Sequence, residues 1–121
     1  MSNNIICEIT DPRNKTVTYY ESVNEHILEG HPELSGDLPH LPIEVIKDPD
    51  WIREGRNPSN TELYYKIESV STTEIYGTMV STKDMINEEG TIVKTIITTT
   101  FNGKDKIDCK MKWSKTKGYM K

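Results

Sequence analysis

Apolar and polar positions follow one another in a pattern that predicts most of the elements. Asn4-Ile5-Ile6-Cys7-Glu8-Ile9 and Thr16-Val17-Thr18-Tyr19-Tyr20 carry the β-branched and aromatic residues of two strands. Asp11-Pro12-Arg13-Asn14-Lys15 between them has turn chemistry, so the two form a hairpin. Ser22-Val23-Asn24-Glu25 then has the spacing of a capping box. Val23, His26, Ile27 and Leu28 follow as a short helix, with Gly30 as its stop. His31 precedes Pro32 and therefore avoids the helical region.

Leu38-Pro39-His40-Leu41-Pro42 forms a rigid connector, and a second helix opens at Pro42 or Ile43. Its apolar positions are Ile43, Val45, Ile46 and Trp51-Ile52, interrupted at Asp48-Pro49-Asp50. Glu54-Gly55-Arg56-Asn57-Pro58-Ser59-Asn60 is a loop. From Thr61 the pattern becomes that of strands, expected at 62–69, 73–81, 91–101 and 105–113. Asn87-Glu88-Glu89-Gly90 and Asn102-Gly103 supply the turns, the latter a hairpin signal. The order predicts an α+β fold: an N-terminal β-hairpin and two short helices followed by an antiparallel sheet. A chain of 121 residues suits a single domain, 1–121.

Composition supports strands over helices, since Ala and Gln are absent while Thr occurs 14 times. The longest apolar stretches, such as Ile5-Ile6-Cys7, fall far short of the ~20 residues a membrane span needs. No basic segment followed by an apolar one opens the chain, so no export signal is expected, and the expected setting is cytoplasmic without membrane. Cys7 and Cys109 are accordingly expected as reduced thiols. The net charge of −4 hides an asymmetry: residues 1–90 carry −10 and residues 91–121 carry +6. Such polarity suits either a polyanion-binding face on the C-terminal strands or a solvated edge guarded by lysines.

Phosphate-binding glycine loops, nucleophile elbows and His-x-x-x-His or Cys-x-x-Cys spacings are missing. What remains is three histidines within fifteen residues, His26, His31 and His40. Within one helix, residues five apart diverge by about 140°. A helix stop between His26 and His31 frees the second ring to turn back toward the first. Two such rings suit acid–base work near neutral pH. Glu33 could instead add a carboxylate to them as a metal site, although the spacing fits no common template.

Val17-Thr18-Tyr19-Tyr20-Glu21-Ser22-Val23-Asn24-Glu25-His26-Ile27-Leu28-Glu29-Gly30-His31-Pro32-Glu33-Leu34 and Ile43-Glu44-Val45-Ile46-Lys47-Asp48-Pro49-Asp50-Trp51-Ile52, with Leu63-Tyr64-Tyr65-Lys66 and Ile92-Val93-Lys94-Thr95-Ile96-Ile97, resemble a known pattern. It is that of the phage-type branch of the barnase–EndoU–colicin–RelE-like nucleases. The resemblance covers roughly residues 4–101. Two departures stand out: Val23 where the family commonly has Trp, and Thr98-Thr99-Thr100 where an aromatic and a proline are often seen.

The resemblance implies a barnase/RelE-like fold and a small metal-independent endoribonuclease of phage or toxin type. Such an enzyme cleaves RNA by transesterification to 2′,3′-cyclic phosphate and takes no cofactor. His26 and His31 would be the acid–base pair, Thr95 and Tyr64 would contact the phosphate, and Arg56 or Lys94 would supply positive charge. RNA would be the partner, along with an immunity or antitoxin protein. The competing expectation is a non-catalytic binding module of the same fold that docks nucleic acid or a protein, which an acidic chain would suit.

Overall fold

A computed structural model describes residues 4–57, 60–116 and 118–119, the last two by backbone only. The chain is α+β, as the sequence predicts. Its strands are β1 (Ile5–Thr10), β2 (Thr16–Tyr20), β3 (Trp51–Glu54), β4 (Thr61–Val70), β5 (Ile75–Ile86), β6 (Ile92–Lys104), β7 (Met111–Ser114) and the two-residue β8 (Gly118–Tyr119). The helices are α1 (Glu21–Gly30) and α2 (His40–Lys47), with a 3-10 turn at Pro32–Leu34 between them. All strands join one sheet in the order β1-β2-β6-β5-β4-β3-β7-β8.

The sheet is mixed rather than purely antiparallel, because β2 runs parallel to β6 where Thr18 meets Ile96. The hairpin β1–β2 turns as expected, with Asn14 at φ 67 and the Asp11 carboxylate receiving the Arg13 and Lys15 N–H groups. Helix α1 starts at Glu21, one residue ahead of the expected Ser22 cap, with Tyr20 in the N-cap position. The Glu21 N–H is satisfied by the Asn4 carbonyl at 2.9 Å, so strand pairing rather than a side chain opens this helix. Helix α2 begins at His40, earlier than expected, and ends where Asp48 turns out of the helix ahead of Pro49. Trp51 and Ile52 therefore belong to β3, not to the second helix.

Asn102-Gly103 is not a turn. It lies inside β6, opposite Thr78 and Gly77. Gly77 is required by close approach: a Cβ there would stand 2.0 Å from the Lys66 carbonyl oxygen. The hairpin between β5 and β6 closes at the other expected turn, where Gly90 adopts φ 81. The segment expected as a strand over 105–113 is mostly irregular, and β7 pairs with β3 instead of β6. Asp105 explains the diversion, since its carboxylate accepts hydrogen bonds from Trp51 Nε1 and from Arg53 Nε and Nη2. That anchor carries the chain across the sheet to the β3 edge.

The core joins Ile9, Val17 and Tyr19 of the hairpin with Ile27 of α1, Val45 and Ile46 of α2, and Ile52, Tyr64, Val80 and Ile97 of the sheet. Burial of each such aliphatic chain contributes about 1.5–3 kcal/mol. Cys7 and Cys109 are both free thiols. No helix among the described residues is long and apolar enough to cross a membrane.

Candidate functional site

Helix α1 packs on β6, carries His26 and ends just before His31. His26 is exposed on the helix and makes no side-chain hydrogen bond or ion pair among the described residues. His31 caps the helix end, its N–H bonded to the Ile27 carbonyl at 2.7 Å. Its ring stacks on Phe101 of β6, centroids 6.3 Å apart and planes 21° from parallel. Nδ1 lies 3.2 Å from the Glu33 carboxylate, a pairing that fixes the ring from its other side. His40 sits apart, exposed at the start of α2. Neither ring of the His26–His31 pair is sealed beneath apolar side chains. Among the described residues, no group of three His, Cys, Asp or Glu is placed to hold a metal ion.

Lys94 and His31 mark opposite ends of α1. The Lys94 ammonium donates to the Tyr20 hydroxyl and sits 4.9 Å from the centre of that ring, where β2 passes into the helix. His31 meets Phe101 at the helix C-terminus, and ten helical residues span about 15 Å. Phe101 lines a cleft of about 470 Å³ together with the cations Arg56 and Lys106.

Thr95 and Tyr64 lie in a buried ionic network. Thr95 is 4% exposed, and its hydroxyl donates to Asp84 Oδ1 at 2.7 Å. Tyr64 is fully buried, and its hydroxyl donates to Asp11 Oδ2 at 2.6 Å. Arg13 ties the network together, with Nη2 and Nε on Asp11 and with Nη1 and Nη2 on Glu62 at 2.9 and 2.7 Å. Lys15 bridges Glu62 and Asp84, and Lys112 reaches Glu62 at 2.6 Å. Burial alone would raise the Glu62 carboxyl, but hydrogen bonds from Arg13 and Lys112 hold it well below the usual carboxylate range. Burial and the Asp11 carboxylate push the Tyr64 phenol far above its ordinary value, so the hydroxyl is a fixed neutral donor.

This network is what the linear sequence conceals. Arg13 sits in a turn motif, and its partner Glu62 follows 49 residues later. The only local hint is an arginine beside one turn acid, Asp11, next to an apolar strand. The C-terminal lysine cluster is likewise less free than its charge suggests: Lys104 pairs with Glu74, Lys112 with Glu62 and Lys115 with Asp48. Lys117 and Lys121 lie outside the described residues. Comparison of the chain with protein-family models, with curated proteins and with solved structures gives no match.

Proposed function

We propose that the protein is a small metal-independent endoribonuclease of phage or toxin type on a barnase/RelE-like fold. One observation carries the reading: His26 and His31 are both open to solvent at the helix packed on β6, and the second ring stacks on Phe101, which lines a cleft that Arg56 and Lys106 also line. RNA brings its own nucleophile, the ribose 2′-hydroxyl. The protein then has to take that proton, protonate the departing 5′-oxygen and neutralise charge on the phosphorane. His26 and His31 are the acid–base pair in this reading, and Arg56, on the cleft that Phe101 also lines, supplies positive charge. Lys94 serves at the other end of α1. Thr95 and Tyr64 act from beneath, by holding the sheet on which the helix rests. The setting is cytoplasmic, with RNA as substrate and an immunity or antitoxin protein as the restraining partner.

A non-catalytic module of the same fold is the competing reading, and the burial of Thr95 against Asp84 favours it. Incubation with total RNA separates the two. Cleavage that leaves 2′,3′-cyclic phosphate ends, persists in EDTA and disappears in His26→Ala and His31→Ala supports the nuclease. A requirement for added magnesium, or an active double variant lacking both rings, overturns it.

A further inference from the structure

The sheet face turned away from the core carries the cleft of about 470 Å³. Its floor is a row running across three strands, Leu63 beside Ser81 and Ser81 beside Thr99. The next residue on each strand, Tyr64, Val80 and Thr100, is buried, and Tyr64 and Val80 join the helices in the core. Strand alternation therefore points the row the other way. Phe101, two residues beyond Thr99, lines the same cleft and also stacks on His31.

Among the described residues Arg56 and Lys106 are without a carboxylate partner, as are Lys47, Lys83, Lys94 and Lys110, but these two share one cleft. No carboxylate among the described residues lines it. Arg56 and Lys106 stand on its rim, and neither makes a side-chain hydrogen bond or ion pair among the described residues. Arg13, Lys15, Arg53, Lys66, Lys104, Lys112 and Lys115 each have a carboxylate partner. The acid nearest in sequence to Lys106 is Asp105, and it is engaged by Arg53 and Trp51. Two unneutralised cations above an aromatic ring, an aliphatic chain and two hydroxyls call for a ligand with one anionic group and one flat apolar face.

We propose that this cleft binds one nucleotide of single-stranded RNA, its base against Phe101 and Leu63 and its phosphate between Arg56 and Lys106. Base–aromatic stacking tolerates any base, and Ser81 and Thr99 offer hydroxyls that both donate and accept. The contact between Phe101 and His31 places this nucleotide next to the one whose phosphate lies at the histidine. The choice of RNA as ligand rests on the nuclease reading, but the subsite is measured by binding rather than by cleavage.

The probe is a 2′-O-methyl RNA tetranucleotide, which lacks the attacking hydroxyl and so binds without being cut. Titration followed by NMR shifts of the Ser81, Thr99 and Phe101 amides should saturate. Arg56→Glu combined with Lys106→Glu should weaken binding at least about tenfold, with the salt dependence of phosphate contacts. Phe101→Leu should weaken it about tenfold through lost stacking, whereas Lys104→Gln should leave it unchanged. Arg56→Lys with Lys106→Arg should restore most of the affinity, which a folding defect would not allow. Equal affinity in the double glutamate variant, no binding by the wild type, or inorganic phosphate binding as tightly as the tetranucleotide overturns the proposal. Binding lost in these variants, in a protein that leaves ordinary RNA intact, keeps the subsite and removes the nuclease. Cleavage of RNA by a protein whose variants bind normally keeps the nuclease and removes the subsite.

Discussion

Two charged regions of this molecule follow opposite rules. Around the β1–β2 turn, Asp11, Arg13, Glu62, Lys15, Asp84 and Lys112 lie close together and every charge has an opposite partner. Around α1 and the cleft beyond Phe101, His26, Arg56 and Lys106 face solvent with no partner among the described residues. The first arrangement spends its charge on the fold. A buried guanidinium is costly to desolvate, and the bidentate Glu62 carboxylate, Asp11 Oδ2 and the Tyr64 hydroxyl offset that cost. The second leaves its charge available to something that arrives from outside. An acidic protein can thus present a local cationic site without being basic as a whole.

The strongest way to break this contrast is at the histidines. His26→Ala or His31→Ala should lower RNA cleavage by about 10²–10⁴, the scale of one general acid or base. The thermal midpoint should hardly move, because the rings lie outside the core. Rates across pH should trace a bell, and a flat profile with full activity in either variant would remove the acid–base pair.

Arg13→Ala tests the opposite rule. It strands Asp11 and Glu62 as buried carboxylates with too few donors, which should cost about 3–5 kcal/mol of unfolding free energy in a denaturant titration. Any loss of cleavage should follow the lost fold. A variant that unfolds at the wild-type midpoint would mean that the network does not secure the turn.

The same contrast explains how much was legible along the chain. The β1–β2 hairpin, both helices and β4 to β6 follow from local pattern, because each buries one face and its turns carry their own chemistry. Asn102-Gly103 imitates a hairpin turn, yet the strand continues, pairing Asn102 with Thr78 and Gly103 with Gly77, and the Thr78 hydroxyl donates to Asn102 Oδ1. The β3 strand was hidden because Trp51-Ile52, just past Pro49, continue the apolar positions of the second helix. Tyr64 and Thr95 are chemically plausible phosphate contacts in one dimension. Their engagement with Asp11 and Asp84 depends on partners 53 and 11 residues away, which no local spacing encodes. The helix stop ahead of His31 was legible, because Gly30 and Pro32 both end a helix, whereas the exposure of the two rings was not.

Acid should sharpen the contrast further. The folded Glu62 carboxyl titrates below its ordinary value of 4.5, so its stabilisation is fully present above that value and drains away as pH falls toward the lower folded one. Stability of the wild type should therefore decline below about pH 4.5, and Glu62→Gln should flatten that decline while lowering stability at pH 7. Equal slopes for the two proteins would show that Glu62 is not the group being titrated.

The smallest effect belongs to an ion pair outside both regions. Asp48 accepts from Lys115 and Lys66 at 2.9 and 3.0 Å, and hydrogen bonds from those two ammonium groups hold its carboxyl below the usual range. The direction matches that of Glu62, but here water surrounds all three groups. The Asp48 side chain is 62% exposed, against 3% for Glu62. Screening and the entropy of holding long lysines leave little net gain, so Asp48→Asn should change unfolding free energy by less than about 0.5 kcal/mol. That change should shrink further in salt, whereas the Arg13 defect should persist, because ions do not enter a sealed network. A large, salt-insensitive loss in Asp48→Asn would mean that burial is not what separates the charges that hold this fold from those left free to act.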